Sequence, residues 1–175
     1  MSDPPSIRIR RLHSVDDAQV DGLTDLLIDC VERGASASFM HPLAPATARA
    51  FWSSVADGVA AGDRALLVAE DGAGIVGTVQ LILGQPENQP HRADLVKLLV
   101  HHRARRQGLG ERLMRAAEQL ARDCDKTLLV LDTVPGSDAE RLYERLGWVR
   151  VGTIPDFALL PFGGLAPTTV VYRRV

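Results

Sequence analysis

The sequence predicts a single α/β domain, classed as α+β, with six to seven strands in one sheet and about four helices packed on both faces. Short apolar runs typical of strands alternate with longer stretches whose apolar residues recur at helical spacing. Residues 65–83 read as a β-hairpin, and residues 95–132 read as a strand–helix–strand unit. A length of 175 residues agrees with one domain spanning 1–175.

The first half of the chain predicts one strand and two helices before the hairpin. Residues 7–12 alternate apolar and basic side chains, which is typical of a strand. Ser14 is a candidate cap for the helix that follows, and Gly34 suits the end of that helix. Pro45 stands where the second helix is expected to begin.

The second half predicts two more helices and the remaining strands. A helix is expected at 109–124, and the capping box from Ser137 to Glu140 predicts the start of the last one. Because a strand–helix–strand order favours a right-handed crossover, the strands on either side of the first helix should be parallel neighbours. Residues 155–167 read as an apolar loop. The strands are expected at 95–100, 128–132, 148–154 and 168–172.

Composition and charge exclude several classes of protein. A net charge of -2 argues against a dedicated nucleic-acid binder, which usually carries a basic excess. No apolar run approaches the ~20 residues that a membrane span needs, and the N-terminus lacks the apolar core of a secretory signal. Cys30 and Cys124 show no metal-ligand spacing and are expected to be reduced, buried thiols. A cytoplasmic enzyme or binding module is therefore expected.

The stretch from Leu95 to Gly110 has the pattern of a phosphate-binding site. An apolar strand is followed by a basic segment, two closely spaced glycines and the start of a helix. The first N–H groups of a helix lack intrahelical partners, and the helix dipole is positive there. This stretch is expected to hold the phosphates of a large anionic ligand, although a glycine-rich helix start without a ligand is the alternative. A dinucleotide-binding fold is disfavoured because its glycine fingerprint is absent.

Two motifs in a fixed order carry a family resemblance. They are Arg105-x-x-Gly108-x-Gly110 after an apolar strand, and Ala139-x-x-Leu142-Tyr143-x-x-x-Gly147-Trp148 at the last helix. Together they resemble the GNAT superfamily of acyl-CoA-dependent N-acetyltransferases. The resemblance implies a mostly antiparallel twisted sheet with splayed central parallel strands, acetyl-CoA as cosubstrate and no metal. The segments KLLVHHRARRQGLG, LVLDT, SDAERLYERLGW and DFALLPFGGL are most similar to the acetyltransferases that confer tabtoxin resistance.

The resemblance also implies the donor site. Backbone N–H groups should hold the CoA pyrophosphate, and the strand before them should bind the pantetheine arm and the thioester carbonyl. The guanidinium groups of Arg103, Arg105 and Arg106 either pair with further phosphates or are solvated. Many relatives carry an Asn shortly before the last helix, where this chain has Pro135-Gly136-Ser137; Ser137 is the nearest polar candidate for that role. The residues of the loop are Arg105, Arg106, Gln107, Gly108, Leu109, Gly110 and Glu111, and those of the strand are Leu98, Leu99 and Val100.

Two residues are candidates for catalysis. Tyr143 resembles the tyrosine that protonates the departing CoA thiolate, but it lies on an apolar helix face and is otherwise a core residue. Asp132 ends a buried strand, and it is a candidate general base, an anchor for the acceptor ammonium, or a cap for the following turn. The cysteines show no catalytic pattern, which favours direct transfer over a covalent acyl-enzyme.

The acceptor site is expected in two loops, 35–44 and 156–166, with His41, Asp156 and Phe157 as its candidate residues. These loops otherwise cover the core or form a dimer contact. Lys97 either faces the acceptor cleft or extends its ammonium to solvent. The pair His101-His102 is rejected as a metal site, because adjacent residues on a strand point to opposite faces.

These observations favour an N-acetyltransferase that moves an acetyl group from acetyl-CoA to the primary amine of a small molecule in a ternary complex. An amino-acid-like toxin or antimetabolite is one acceptor that the resemblance suggests. The alternatives are a non-catalytic acyl-CoA sensor and a protein or peptide N-acetyltransferase. The sequence leaves the acceptor, the acyl chain length and a homodimeric state open.

Overall fold

The computed structural model describes residues 6–175, which form a seven-stranded mixed sheet and four α-helices. The expectation about a secretory signal concerns the N-terminus, of which residues 1–5 lie outside the described part. The strands are β1 (Arg8–Leu12), β2 (Arg64–Asp71), β3 (Gly74–Ile82), β4 (Arg92–Val100), β5 (Leu128–Thr133), β6 (Val149–Leu159) and β7 (Leu165–Arg174). The helices are α1 (Asp17–Glu32), α2 (Pro45–Ala61), α3 (Leu109–Asp123) and α4 (Asp138–Arg145).

The strands lie in the order β1-β2-β3-β4-β5-β7-β6. Every neighbouring pair is antiparallel except β4 and β5, which are parallel as predicted. The parallel register joins only Arg92–Asp94 to Leu128–Val130. Beyond those residues the two strands diverge, and the splayed opening expected at the centre of the sheet is confirmed.

Two hydrophobic clusters lie on opposite faces of the sheet. One joins α3 and α4 to the sheet and includes Leu113, Leu129 and Tyr143. The other joins α1 and α2 to strands β1 to β4, and Trp52 is fully buried within it. Among the described residues, no side chain of β5, β6 or β7 belongs to this second cluster. Helices α1 and α2 therefore cover this face of the sheet only over strands β1 to β4, up to the opening between β4 and β5.

The helix caps differ in part from the prediction. Asp16, not Ser14, caps α1, because Asp16 accepts a hydrogen bond from the Gln19 N–H (2.8 Å) and Gln19 Oε1 accepts one from the Asp16 N–H. Ser137 caps α4 as predicted, since its Oγ accepts a hydrogen bond from the Glu140 N–H at 3.1 Å. The Glu140 carboxylate binds the N–H of Gly136 at 2.6 Å, one residue earlier than the capping box requires.

The predicted loop at 155–167 is wrong, because most of it is strand. β6 continues to Leu159 and β7 begins at Leu165, so the connection shrinks to a short turn. The register of β6 shifts between Ile154 and Ala158, and Asp156 has a φ of 49°. These bulges break the period of two that identifies a strand in a sequence. As a result, Asp156 and Phe157 lie on an edge strand instead of in a loop.

No helix of the described residues is both long and apolar enough to cross a membrane. Cys30 and Cys124 are free thiols, and Cys30 is buried.

Candidate active site

The loop between β4 and α3 forms an uncapped helix N-terminus. A short 3₁₀ turn (His102–Ala104) follows β4, Arg106 has a φ of 59°, and Gly108 has a φ of 73° as the N-cap of α3. No side chain in the described part of the chain caps α3. Because the first-turn N–H groups of an α-helix have no intrahelical acceptor, they are free to bind an anion. A Cβ at Gly108 would meet no atom within 4 Å, so the space beside this turn is open.

The second glycine of the motif has a different role. A Cβ at Gly110 would lie 3.2 Å from Leu142 Cδ2 on α4. Gly110 therefore lets α3 approach α4 closely, whereas Gly108 supplies the left-handed backbone and the open space.

The three arginines of the loop do not behave alike. Arg103 forms an ion pair with Asp71 on the neighbouring hairpin. The Arg105 Nε donates a hydrogen bond to the Val100 carbonyl at 3.0 Å, so this side chain braces the loop against the end of β4. Arg106 is exposed, and no hydrogen bond or ion pair joins its side chain to the part of the chain that the structure describes. Arg106 is consequently the one of the three whose guanidinium is available to a phosphate.

Other polar groups of the donor loop are partly engaged. Gln107 Nε2 donates to the Arg103 carbonyl at 3.1 Å, and the Glu111 carboxylate pairs with Arg115 at 2.9 Å. Ser137 holds the cap of α4 and lies 3.4 Å from the Thr133 hydroxyl. The backbone, more than these side chains, is left to contact a ligand.

The far half of β4 borders the opening. Its pairing with β5 ends at Asp94, so β5 does not pair with the backbone edge from Leu95 to Val100. Leu99 is buried under α1, and Leu98 and Val100 are partly buried against the α3 cluster. An unpaired strand edge of this kind can accept an extended chain with amide groups, such as a pantetheine arm.

Tyr143 lies on α4 and is 6% exposed, with its ring centroid 5.9 Å from that of Trp148. Burial raises the pKa of the Tyr143 phenol, and the negative charge of Asp132 raises it further. The phenol therefore keeps its proton, which disfavours full proton transfer to a thiolate and favours a hydrogen bond to it.

Asp132 lies near the end of β5 and is exposed. Its Oδ2 accepts a hydrogen bond from the Thr168 hydroxyl at 2.8 Å. Glu140 binds the Gly136 N–H, so the turn that Asp132 was considered to cap is held by another carboxylate. One Asp132 oxygen is thus oriented by β7, and the geometry leaves the base and the ammonium anchor as its possible roles.

Lys97 is only partly exposed to solvent. It stands at a bulge of β4 with a φ of 55°, and its Nζ donates to Ser38 Oγ at 2.9 Å and lies 5.6 Å from the centre of the Phe51 ring. Burial lowers the pKa of Lys97, the charge of Arg64 lowers it further, and Asp132 opposes both. The alternative in which Lys97 faces the cleft is the one that agrees with these contacts.

The two segments expected to form the acceptor site meet. The His41 N–H donates to the Pro161 carbonyl at 2.9 Å, and the His41 ring lies 4.8 Å from the Phe162 ring. The tip of the β6–β7 hairpin therefore packs on the loop between α1 and α2. Asp156 and Phe157 are exposed on the edge strand β6, beside this contact.

The prediction that His101 and His102 point to opposite faces of a strand is wrong, because both residues follow the end of β4. Their rings lie 4.5 Å apart, and both face Asp29 of α1, which sequence reasoning missed because it is 73 residues away from His102. Burial would raise the pKa of Asp29, but hydrogen bonds from the His102 N–H, Arg33 and the His102 ring outweigh it and lower the pKa to about 2. The cluster clamps α1 to the donor loop.

Comparisons with known proteins agree with this geometry. The model of the acetyltransferase (GNAT) family matches residues 23–148. A protein from Salmonella typhimurium described as an acetyltransferase, whose structure contains its cofactor acetyl-CoA, is 19% identical over 96% of this chain and 93% of its own, with a TM-score of 0.76. The ribosomal-protein-alanine N-acetyltransferase of Brucella melitensis is 23% identical over 96% and 99%, with a TM-score of 0.78. A structure described as a phosphinothricin N-acetyltransferase is 18% identical over 97% and 99%, with a TM-score of 0.75.

Proposed function

This chain belongs to the GNAT family of acetyltransferases and is an acetyl-CoA-dependent acetyltransferase, and we propose that it acetylates the primary amine of a small molecule. Residues 1–175 then act as one acyl-CoA N-acyltransferase domain in the cytoplasm. The observation that carries the proposal is the opening between β4 and β5, which is bordered by the uncapped N-terminus of α3, by Lys97 on β4 and by Asp132 on β5.

The donor fits the free groups of the protein. The first-turn N–H groups of α3 and the Arg106 side chain bind the pyrophosphate, and the unpaired edge of β4 binds the pantetheine arm. When bound, acetyl-CoA supplies an acetyl thioester that an amine can attack. A backbone N–H of the Leu98–Val100 segment stabilises the negative charge that develops on the carbonyl oxygen.

Asp132 accepts the proton that the attacking amine loses as the C–N bond forms and the C–S bond breaks. Its carboxylate is held by Thr168 at 2.8 Å and is open to the cleft. Tyr143 donates a hydrogen bond to the departing sulfur and keeps its own proton, because burial raises its pKa. Cys30 is no nucleophile in this scheme, since burial raises the pKa of its thiol.

An amino-acid-like toxin or antimetabolite is the acceptor that we propose, with a role in resistance. The support is the similarity of the motifs to tabtoxin-resistance acetyltransferases, together with a structural relative described as a phosphinothricin N-acetyltransferase. A protein or peptide acceptor is the second candidate, favoured by the relative from Brucella melitensis. The contact between His41 and the hairpin tip joins the two segments expected to bind the acceptor, and we take this as support for a small acceptor.

We also propose a homodimer formed through the β6–β7 hairpin. Within residues 6–175, eight large apolar side chains are exposed, and seven of them lie on this hairpin: Val149, Val151, Ile154, Phe157, Leu159, Phe162 and Leu165. A second copy fits this surface because its charges are self-complementary. In the dimer that we propose, the edge strands β6 of the two copies pair antiparallel about Thr153, which would place Arg150 opposite the partner's Asp156, and the reverse.

Sedimentation tests the dimer. The wild type is expected at twice the chain mass of 19.0 kDa, Arg150→Asp at the mass of one chain, and the double variant Arg150→Asp, Asp156→Arg again at the mass of two. A wild type that remains at one chain mass at high concentration contradicts the proposal.

Release of free CoA in the presence of an amine panel tests the acceptor class. Small primary amines are expected to be acetylated and unstructured peptides are not. Acetylation of peptides alone would contradict the small-molecule proposal, and tight CoA binding without turnover of any amine would favour the sensor.

A further inference from the structure

Lys97 carries a charge that forms no ion pair with any group in residues 6–175. Its side chain is partly buried at the β4 bulge, and no carboxylate among residues 6–175 lies within ion-pair distance of its Nζ. Among the described residues, its Nζ hydrogen-bonds only to the neutral Ser38 hydroxyl, at 2.9 Å. An ammonium group has three donors and no acceptor, so two N–H groups remain for a ligand. A buried charge is costly unless it is paired, so this arrangement calls for an anion from outside.

Arg64 adds a second positive charge that also favours an anionic ligand beside Lys97. Arg64 donates from Nη1 to Gln80 Oε1 at 3.0 Å and forms no ion pair with the described residues. It lies close enough to Lys97 for its positive charge to lower the pKa of that group. Two unneutralised cations near each other attract an anion between them.

Gln80 adds an unused donor. Its side chain is fully buried, and its Nε2 has no hydrogen-bond partner in the described part of the chain. Gln80 is paired with Val96, the neighbour of Lys97. A buried amide N–H without an acceptor is rare in folded proteins, and an anion would satisfy it.

Asp132 supplies the opposite charge on the other side of the opening. Its negative charge acts on Lys97, although the two side chains form no ion pair. A ligand with a carboxylate next to Lys97 and an amine next to Asp132 matches both charges. An α-amino acid has this arrangement.

We infer that Lys97 is the residue that selects the acceptor, by binding the carboxylate of an amino acid whose amine lies at Asp132. This inference rests on the proposed acetylation of a small primary amine at the same opening. Lys97 donates two hydrogen bonds to the carboxylate, Ser38 and Phe51 hold the ammonium in place, and Arg64 adds long-range attraction.

Matched acceptor pairs test the inference. Acetyl transfer is measured with free L-amino acids and with their carboxamides, which differ only in the charge of the group that Lys97 binds. The wild type is expected to favour the free acids. Lys97→Met removes the charge while keeping a similar side-chain volume. It should lower kcat/KM for the free acids about 10- to 100-fold, because one or two hydrogen bonds to a charged group are lost. The kcat/KM for the carboxamides should change little.

Control variants separate this role from others. Lys97→Arg keeps the charge and should retain part of the preference for acids. Lys126→Met changes the other of the two lysines, whose Nζ binds the Pro90 carbonyl at 2.7 Å away from the opening, and should leave the preference intact. CoA binding measured by calorimetry should be equal in all these proteins, which also shows that they are folded.

Three other outcomes would contradict the inference, and each has a different meaning. If the wild type acetylates carboxamides as well as free acids, the proposed function stands and the role of Lys97 is wrong. If Lys97→Met lowers kcat equally for both series, Lys97 acts on the reaction itself and not on the carboxylate. If CoA binds and no amine of either series is acetylated, the inference and the proposed function fall together.

Discussion

Replacing Gly108 with alanine tests whether the start of α3 binds the donor. Gly108 has a φ of 73°, and an added Cβ would meet no protein atom within 4 Å. The left-handed conformation costs an L-residue about 1–2 kcal/mol, so Gly108→Ala should lower the free energy of unfolding by that amount. The new methyl also projects into the open space beside the first-turn N–H groups. Losing one hydrogen bond to a phosphate costs about 1.5–3 kcal/mol, which weakens binding about 10- to 100-fold.

Gly62 provides a matched control for this substitution. It has a φ of 82° at the end of α2, and a Cβ there also meets nothing within 4 Å. Gly62→Ala should therefore lose about the same 1–2 kcal/mol of stability without touching the donor site.

The assay is calorimetric titration with CoA, alongside urea unfolding of each variant. The two variants are expected to be equally destabilised, with weaker CoA binding in Gly108→Ala alone. Equal CoA affinities for the two variants and the wild type would refute the assignment of the phosphate site.

Three further substitutions test separate parts of the account. Tyr143→Phe should lower kcat about 10-fold or more with unchanged CoA affinity, because the hydrogen bond to the leaving sulfur is lost in the transition state; unchanged kcat would make Tyr143 a core residue only. Asp29→Asn should cost about 1–2 kcal/mol near neutral pH. The Asp29 pKa of about 2 lies below its usual value of 3.8, so its contribution to the wild-type free energy of unfolding is complete above about pH 4 and is lost as the pH falls toward 2. If urea unfolding showed that Asp29→Asn loses the same free energy at pH 3 and at pH 7, the role of Asp29 as a clamp would be contradicted. Lys97→Met should raise the free energy of unfolding at pH 7. It should also abolish the rise in wild-type stability expected as the pH approaches 10.5 from below, since an unfolded lysine with the higher pKa binds more protons there; a destabilised variant would show that the Lys97 charge is already neutralised.

The sequence predicted the elements whose patterns are local. The helices at Pro45 and Ser137, the glycine turn before α3 and the parallel crossover all depend on neighbouring residues, and the structure has them. The cap of α1 was placed two residues early because Ser14 and Asp16 are both good cap residues. The partner of Asp16 at Gln19 decides between them.

Features that depend on bulges or distant contacts were predicted poorly. β6 was cut short because Pro155 and the bulge at Asp156 hide its alternation. The side chain of Lys97 was assigned to a regular strand, whereas the bulge turns it toward Ser38. Asp29 reaches His102 only through the packing of α1 on the sheet, which no local pattern reveals.

The same distinction between local patterns and distant contacts applies to the candidate site. The donor loop is one continuous segment, so its motif could be read from the sequence. The acceptor side joins α1–α2, β4 and β5, and its charges come together only in the folded chain.

Hydrogen exchange with and without acetyl-CoA tests the central claim most directly. Binding is expected to protect the amides of Arg106–Glu111, which lack a cap, and those of Leu95–Val100, where β5 does not pair with β4. Little change is expected in β6, which is remote from the donor loop in the sheet order. Protection of both segments would place the donor in the opening between β4 and β5. Protection confined to other segments, with acetyl-CoA bound at saturation, would contradict the account.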